Sequence, residues 1–383
     1  MKRTLCAMLA AIFLLFAGCT PSDDIASASL RNTIPTGTDS SSTVPTEPVT
    51  SPTEEQLLSE MSLEARVGQL FIARCPEKNA IEVIQKYHLG GFVLFARDFK
   101  NEKPDSVSKA IAAYQSASRI PMLIAVDEEG GTVNRVSKYP AFRKSPFASP
   151  RLLYTLGGLL LIEQTEIEKC QLLGSLGINV NLGPVCDITT DSNAFMYNRS
   201  LGQSPEITAE FVKTAVDVMQ SSHIGSVLKH FPGYGNNTDT HTGIAVDSRT
   251  LAELENVDLV PFAAGINAGC DAILVSHVYI NAIDPNTPAT LSPAVHTYLR
   301  ETMGFEGVIV TDDLAMEAIT DVYGVGESAV LAVLAGNDLL CVTDYAEQYA
   351  AVLQAVKDGR ISEEMINKAV LRVLRWKLEL GLL

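Results

Sequence analysis

Residues 226–241 read SVLKHFPGYGNNTDTH, and this stretch decides the fold class of the chain. A short apolar run, 226–228, leads directly into a polar segment that is rich in glycine and asparagine. A buried strand that ends in a flexible polar loop is where α/β proteins carry their functional side chains. Asp239 and His241 lie two residues apart, so in extended backbone they point to the same side and the carboxylate can orient the imidazole.

Seven further apolar runs resemble the one before this loop, and helical patterns separate them. The runs are short and rich in β-branched residues, as expected of strands that are buried on both faces. The eight candidate strands are 69–73, 90–95, 122–127, 179–187, 226–230, 272–277, 308–312 and 338–342. Helical spacing is shown by Val107, Ile111 and Tyr114, and by Ile366, Val370, Val373 and Leu374 before a stop at Gly381.

Eight such alternations over roughly 330 residues predict an α/β fold, a TIM-type (β/α)8 barrel that forms a single domain over 54–383. A doubly wound open sheet is the alternative. It is disfavoured because no GxGxxG motif opens a helix after the first candidate strand.

Polar residues stand where several of these strands end. Asp127, Asp187, Lys229–His230, His277 and Asp312 each lie at the carboxyl end of a candidate strand. In a barrel these ends converge on one mouth, and a buried charge is unfavourable unless it is paired or functional. The pattern therefore predicts a polar pocket at the mouth of the barrel.

The N-terminal region has the features of an export signal. A basic pair precedes the apolar stretch 5–17, which is too short to span a membrane comfortably. The stretch leads into Cys19 through Phe-Ala-Gly, which resembles a bacterial lipobox except that Phe16 replaces the usual leucine. We expect 1–19 to be a lipoprotein signal peptide with Cys19 lipidated, and ordinary secretion is the alternative.

Residues 20–53 are rich in serine, threonine, proline and aspartate. They contain too little apolar surface to fold, so we expect a disordered linker. A lipid tether followed by a linker would hold the folded domain outside the cytoplasm, as a lipoprotein of the bacterial cell membrane.

The composition of the chain excludes several classes of protein. The net charge of −16 and the pI of about 4.8 argue against a nucleic-acid partner, because phosphates require a basic surface. Seven cysteines show no CxxC or metal-type spacing. We therefore expect those of the folded part to be small core residues, without a disulfide framework or a zinc site.

Four motifs occur in one order along the chain. They are DEEGGTVNR (127–135), NRSLG (198–202), KHFPGYGNNTDTH (229–241) and TDDLAM (311–316). Together they resemble the β-N-acetylhexosaminidases of glycoside hydrolase family 3, and the likeness extends from about residue 54 to the C-terminus.

The resemblance implies that Asp312, the first aspartate of TDDLAM, is the nucleophile. A carboxylate below the anomeric carbon stabilises an oxocarbenium-like transition state and forms a glycosyl-enzyme intermediate. Asp312 and Asp313 alternate in direction, so only one is expected to face the mouth. We expect Asp313 to cap a helix that begins near Leu314.

The resemblance also implies that His241, paired with Asp239, is the general acid and base. Imidazole has an unperturbed pKa of about 6.5, so it can donate a proton to the leaving oxygen and later accept one from water. Tyr234 stands where the family usually has histidine. Because of that difference the packing of the loop cannot be predicted, whereas the assignment of the pair Asp239 and His241 is unaffected.

The residues implied to hold the non-reducing sugar are Asp127, Arg135, Arg199, Lys229 and His230. Aspartate accepts hydroxyl hydrogen bonds, whereas arginine and lysine donate them. For Arg135 and Arg199 a structural salt bridge is the alternative. Asp187 and His277 receive no role beyond the support of neighbouring loops.

The function that the resemblance implies is that of a retaining exo-β-N-acetylglucosaminidase. It would remove terminal β-linked GlcNAc from peptidoglycan fragments or chitooligosaccharides, as a monomer and without a cofactor or metal. The alternatives are a family 3 β-glucosidase, a GlcNAc phosphorylase and a lipid-anchored glycan-binding protein. The presence of Asp312, Asp239 and His241 together disfavours a binding protein.

Overall fold

Eight parallel strands form a barrel in the computed structural model of this protein, which describes residues 52–237 and 243–383. In chain order, the strands of the barrel and of a second, smaller sheet (β6, β8 and β9) are β1 (Phe71–Arg74), β2 (Gly91–Leu94), β3 (Leu123–Val126), β4 (Val180–Asn181), β5 (Gly225–Phe231), β6 (Val246–Asp247), β7 (Ala272–Val275), β8 (Tyr279–Ile280), β9 (Asp284–Pro288), β10 (Val308–Thr311) and β11 (Leu340–Val342). The helices are α1 (Glu54–Ser59), α2 (Leu63–Gln69), α3 (Ala80–Tyr87), α4 (Ala96–Phe99), α5 (Pro104–Ala117), α6 (Pro150–Leu176), α7 (Pro205–Ser221), α8 (Leu251–Asn256), α9 (Leu259–Asn267), α10 (Pro293–Thr297), α11 (Glu317–Tyr323), α12 (Val325–Ala335), α13 (Tyr345–Lys357) and α14 (Glu363–Glu379).

The order of the barrel strands follows the order of the chain. Around the barrel it runs β10-β7-β5-β4-β3-β2-β1-β11, and every neighbouring pair is parallel. A bridge between Val310 and Leu339 joins the two ends of this sheet. The prediction of a (β/α)8 barrel is therefore confirmed, and each of the eight candidate strands corresponds to one barrel strand.

The interior of the barrel is filled by apolar side chains that alternate along the strands, as the period of two requires. Examples are Leu123 and Ala125 on β3, Ala272 and Leu274 on β7, and Val308 and Val310 on β10. The same cluster contains Val373, Trp376 and Leu380 from the end of the chain.

The base of the barrel lies against α14. A methyl group on Gly225, at the start of β5, would lie 2.7 Å from Cζ2 of Trp376, so the tryptophan requires glycine there. Lys377 is buried and donates from Nζ to Oε1 of Gln69 at 2.7 Å, and burial lowers the pKa of this lysine to about 7. These contacts close the amino end of the barrel, so the carboxyl end is the open one.

Two further apolar clusters pack the helices against the outside of the barrel. The predicted faces of the helices are part of this core, since Val107 and Ile111 of α5 are buried. The face predicted for the last helix is buried too, and it comprises Ile366, Val370, Val373 and Leu374. Four of the five cysteines that the structure describes are buried, whereas Cys341 is partly exposed, and all five are free thiols.

A second, three-stranded sheet was not predicted from the sequence. Its order is β6-β8-β9, and β8 pairs parallel with β6 and antiparallel with β9. These strands are only two to five residues long, so their alternation is too brief to be recognised in the sequence. Tyr279 of β8 donates its backbone N–H to the carbonyl oxygen of Ala245 at 2.9 Å, which ties the segment after residue 242 to the chain that follows β7.

Within residues 52–237 and 243–383, no single helix has the length and apolarity needed to span a membrane, although α11 and α12 meet those criteria jointly across a 102° bend. The predicted signal peptide, its Cys19 and the linker up to residue 51 lie outside the described residues.

Candidate active site

A cavity of about 450 Å³ opens at the carboxyl end of the barrel, which is a suitable size for a small ligand. Six residues that were predicted for the site line this cavity together, namely Asp127, Arg135, Arg199, Lys229, His230 and Asp312. The predicted pair Asp239 and His241 lies outside the described residues, which stop at Asn237 and resume at Gly243.

The strand order explains why residues so far apart in sequence meet. Asp127 directly follows β3 and Asp312 directly follows β10, and these strands are four positions apart in the eight-stranded barrel. The two carboxylates therefore lie across the mouth from each other. Lys229 and His230 belong to β5, between these two strands, so their side chains enter the same mouth.

Lys229 is the buried cation of the site. Its Nζ lies 2.6 Å from Oδ1 of Asp127 and 2.7 Å from Oε1 of Glu129. Burial alone would lower the pKa of Lys229, but the two carboxylates raise it above its ordinary value. The ammonium group is therefore charged and holds Asp127 in a fixed position.

Glu129 is a site residue that sequence reasoning missed. It is almost completely buried and accepts hydrogen bonds from Nε and Nη2 of Arg199, at 2.9 and 2.7 Å. Burial alone would raise the pKa of Glu129, but Lys229 and Arg199 hold it well below its usual range. Glu129 therefore joins two cations through one carboxylate, and the paired arginine fork fixes the orientation of Arg199.

His230 is held through both ring nitrogens. Nη2 of Arg199 lies 3.1 Å from Nε2 of His230, and Nδ1 lies 2.7 Å from Oδ2 of Asp187. Since an arginine can only donate, Nε2 is the acceptor and Nδ1 carries the proton that is donated to Asp187. The contacts give Asp187 a role that the sequence left open, because it orients His230, and His230 in turn supports Arg199.

The loop after Asp127 is fixed from within by Glu128. Its carboxylate accepts the backbone N–H groups of Arg135, Val136 and Ser137 at 2.8, 2.8 and 3.1 Å. This loop brings Nη2 of Arg135 to 3.8 Å from Oδ2 of Asp127. Three consecutive acidic residues thus divide their roles, since Asp127 and Glu129 face the cavity and Glu128 holds the loop.

Asp312 and Asp313 both line the cavity, so the prediction that only one faces the mouth was wrong. Strand β10 ends at Thr311, and alternation no longer applies beyond it. Asp313 accepts hydrogen bonds from the N–H of Ala315 at 3.0 Å and from Oγ1 of Thr343 at 2.9 Å. Burial raises the pKa of Asp313 above its ordinary value. The hydrogen bond from the N–H of Ala315 lowers this pKa, but by less than burial raises it.

The predicted helix cap at Asp313 was also wrong. Helix α11 begins at Glu317, with Met316 at its N-cap, so Asp313 caps the turn before the helix instead. Nε2 of His277 lies 3.0 Å from the carbonyl oxygen of Asp313, which supports the same turn from β7.

Tyr234, whose packing could not be predicted from the sequence, is buried in the loop that follows β5. The residue is 1% exposed, and its N–H donates to Oδ1 of Asp187 at 2.8 Å. Its ring meets the ring of His230 edge to face, with 5.3 Å between centroids. Tyr234 therefore packs against the same imidazole that supports Arg199.

The arrangement as a whole can bind a polyhydroxylated ligand and attack it. Asp127 and the cations around Glu129 offer fixed acceptors and donors for hydroxyl groups, and Asp312 supplies a carboxylate across the mouth. In the described part of the chain, no group of three or more histidine, cysteine, aspartate or glutamate residues could hold a metal ion.

Comparison with known proteins agrees with this site. The model of the family described as "Glycosyl hydrolase family 3 N terminal domain" matches residues 62–376. A protein of Xylella fastidiosa strain M23 named beta-hexosaminidase is 34% identical over 303 residues, which cover 77% of this chain and 88% of that protein. A beta-hexosaminidase of Nitrosomonas eutropha is 32% identical over 281 residues, which cover 70% of this chain and 78% of that protein.

Among solved structures, the chain resembles a glycoside hydrolase family 3 beta-N-acetylglucosaminidase from Paenibacillus sp. str. FPU-7. The TM-score is 0.79 at 34% identity, and the match covers 84% of this chain and 63% of the Paenibacillus chain. The present chain thus spans less than two thirds of that enzyme. Since the family model and the relatives cover most of the barrel and its mouth, this protein belongs to glycoside hydrolase family 3 and is a glycoside hydrolase.

Proposed function

We propose that this hydrolase is a retaining exo-β-N-acetylglucosaminidase that removes terminal β-linked GlcNAc. The observation that carries the proposal is the position of Asp312, at the carboxyl end of β10 and across the mouth from Asp127 with its Lys229–Glu129–Arg199 network. A sugar bound to that network would present its anomeric carbon to a carboxylate, as double displacement requires.

The proton donor in this proposal is His241, with Asp239 as its partner. The choice is supported indirectly, because His230 donates the proton of Nδ1 to Asp187 and accepts a hydrogen bond from Arg199 at Nε2, so both of its ring nitrogens are already engaged. In the proposed mechanism His241 protonates the leaving oxygen while Asp312 attacks, and His241 then activates the water that releases the sugar.

The choice of sugar is supported by the relatives. The proteins of Xylella and Nitrosomonas are named beta-hexosaminidases, and the Paenibacillus enzyme is a beta-N-acetylglucosaminidase. We propose the same sugar class here, with peptidoglycan fragments or chitooligosaccharides as natural substrates. We also propose that the enzyme is a monomer and that it needs no metal or organic cofactor.

We propose that the enzyme is held outside the cytoplasm by a lipid on Cys19. The support is the basic pair, the apolar stretch and the Phe-Ala-Gly-Cys sequence at the N-terminus. Cys19→Ser should therefore move the protein from the membrane fraction to the soluble fraction of fractionated cells. Membrane association that persists in this variant would show that another segment holds the protein.

The proposed function is tested with a set of chromogenic glycosides on the purified protein. We expect the β-GlcNAc glycoside to have the highest kcat/KM, and the β-glucoside to be a poor substrate. The sugar should appear first as its β-anomer in proton NMR, because two inversions retain configuration. Addition of phosphate should not change the products.

Other outcomes of the same experiment would identify the alternatives. A higher kcat/KM for the β-glucoside would make the protein a β-glucosidase. Formation of a sugar 1-phosphate would make it a phosphorylase. Binding of glycans without turnover of any glycoside would make it a binding protein.

A further inference from the structure

Large apolar side chains are exposed along one helix outside the barrel, α6. Of the seven that are exposed among the described residues, four belong to this helix, namely Leu152, Leu156, Leu160 and Ile167. Leu156 and Leu160 are 68% and 65% exposed, so most of each side chain is in contact with water. Single exposed leucines are common on protein surfaces, whereas several on one helix form a patch of the kind that contacts a partner.

The four residues form two pairs on either side of a break in α6. Leu152 and Leu156 are four residues apart, and Leu160 and Ile167 are seven apart, so the members of each pair share a face of the helix. Between the pairs, Gly158 leaves the helical conformation with φ of 62° and ψ of −155°. A methyl group on Gly158 would meet no atom within 4 Å, so the break itself lies at an open surface.

The charge of this part of the chain is opposite to that of the whole. Residues 130–162 contain no aspartate or glutamate, although the chain carries a net charge of −16. The same stretch contains five cationic residues, which are Arg135, Lys138, Arg143, Lys144 and Arg151. It comprises the loop between β3 and α6 and the first half of α6. A basic region on an acidic protein attracts an anionic partner.

Three of these cations are not neutralised by a carboxylate. Lys138 and Lys144 are exposed, and neither forms an ion pair with another described residue. Arg151 donates to the carbonyl oxygens of Thr189 and Tyr197, at 3.1 and 3.2 Å. The positive charge of all three is therefore available to a partner.

The basic loop lies against the helix that carries the leucines. Nε and Nη2 of Arg143 donate to Oε1 and Oε2 of Glu168 on α6, at 2.9 and 3.0 Å. Glu168 follows the exposed Ile167, so Lys144, which is next to Arg143, is held near one end of the apolar patch. The ion pair also neutralises Glu168, whereas Glu163 is an exposed acid on this part of the helix.

We propose that the exposed face of the 138–160 segment docks on a lipid bilayer with anionic headgroups. The residues that make the contact are Lys138, Lys144, Leu152, Leu156 and Leu160. An anionic bilayer fits both features, because its headgroups attract the lysines and its acyl boundary accepts the leucine side chains. The apolar run 152–162 is too short to span a membrane, but it is long enough to lie at the surface of one.

Docking through this surface places the mouth of the barrel beside the bilayer. Helix α6 follows the loop that leaves the carboxyl end of β3, and Arg151 in its first turn binds the loop that carries Arg199. The inference does not depend on a lipid at Cys19, since every residue of the docking surface is in the folded domain. A contact of this kind is weak and reversible, so membranes washed with salt should still release Cys19→Ser.

The test measures how residues 20–383 sediment with vesicles of phosphatidylethanolamine and phosphatidylglycerol. This part of the chain contains every strand and helix of the structure, and it lacks the apolar stretch 5–17 and Cys19. We expect binding that disappears when phosphatidylcholine replaces phosphatidylglycerol. The binding should also weaken in concentrated salt, which screens the attraction between the lysines and the headgroups.

Two double variants separate the apolar contribution from the charged one. Leu156→Gln with Leu160→Gln should raise the lipid concentration at half binding by about 10-fold or more, because the inserted apolar area is lost. Lys138→Gln with Lys144→Gln should raise it by about 5- to 25-fold, since each cation near an anionic membrane contributes a factor of roughly five. Thermal unfolding checks the fold of each variant, and Leu156→Gln alone carries the test if the double leucine variant does not fold.

Matched controls make the same changes elsewhere on the surface. Val322→Gln removes a side chain that is 53% exposed on α11, and Lys357→Gln with Lys368→Gln removes two exposed lysines from α13 and α14. These helices follow β10 and β11, which are three or four strands away from β3 around the barrel. Both controls should bind the vesicles as tightly as the unmodified chain.

The inference would be overturned if the unmodified chain did not bind anionic vesicles, or if the leucine variants bound them equally well. A loss confined to the lysine variant would indicate an anionic partner without a bilayer contact, and it would also refute docking. So would a dimer that Leu156→Gln with Leu160→Gln dissociates in the absence of vesicle binding, because the surface would then join two copies of the chain. The assay contains no glycoside, so its result is independent of the proposed hydrolysis, which a chromogenic β-GlcNAc glycoside measures separately.

Discussion

Replacement of Asp312 by alanine is expected to lower kcat by about 10⁴-fold or more, because it removes the proposed nucleophile, on which both chemical steps would depend. The folded structure should remain, since Asp312 follows β10 at an open mouth and the strand itself is buried without it. Turnover of a chromogenic β-GlcNAc glycoside measures the loss, and thermal unfolding checks the fold.

Covalent labelling identifies the nucleophile directly. A fluorinated sugar with a good leaving group should modify Asp312 in the wild type, and peptide mass spectrometry locates the label. Asp313→Asn is the matched control, because it removes the neighbouring carboxylate with little change of shape. The label should still be found on Asp312 in that variant. A label on Asp313 or Glu317 would refute the assignment of the nucleophile.

Replacement of His241 by alanine is expected to damage the hydrolysis of poor leaving groups far more than that of good ones. General acid assistance is worth about 10²- to 10⁴-fold, and only a leaving group that needs a proton loses it. A phenyl β-GlcNAc glycoside, whose leaving group needs a proton as its bond breaks, should therefore lose most of its rate at the glycosylation step. A dinitrophenyl β-GlcNAc glycoside, whose leaving group departs almost unaided, should lose much less at that step. Single-turnover measurements isolate the rate of this step.

Asp239, the proposed partner of His241, and the release of the sugar in the second chemical step provide two further tests of the role of His241. Asp239→Asn should show the same preference more weakly, because Asp239 is proposed only to orient and stabilise the imidazolium of His241. Azide should accelerate release of the sugar in His241→Ala, since it replaces the water that the base would activate. Equal losses on good and poor leaving groups would make His241 a binding residue.

Most of the barrel could be predicted from the sequence because each strand can be recognised from its own few residues. Each barrel strand is a short apolar run, and the chain order of the strands is also their spatial order. The helix after Asp312 was placed too early, since the turn that Asp313 caps is not distinguished by composition from the start of a helix. The sheet formed by β6, β8 and β9 was missed because its strands are too short to show a period.

Six of the residues that the sequence suggested for the site line one cavity, but the contacts among them could not be predicted. Asp127, Lys229 and Asp312 stand at strand ends, and a barrel brings strand ends together whatever their separation in sequence. The bond from Arg199 to Glu129 joins residues 70 positions apart, and the bond from His230 to Asp187 spans 43. Which acid binds which base depends on side-chain direction and loop geometry, and a run such as Asp-Glu-Glu at 127–129 does not reveal it.

The closure of the barrel by β11 and the sealing of its base by α14 determine when the fold can form. Phe71 pairs with Leu340, and Trp376 and Leu380 belong to the same interior cluster as Ile72, so contacts that complete the core join the first barrel strand to β11 and α14. A chain emerging from a ribosome cannot bury that interior until α14 has been made. For a protein proposed to be exported, such late completion would leave the polypeptide extended enough for translocation while it is being synthesised.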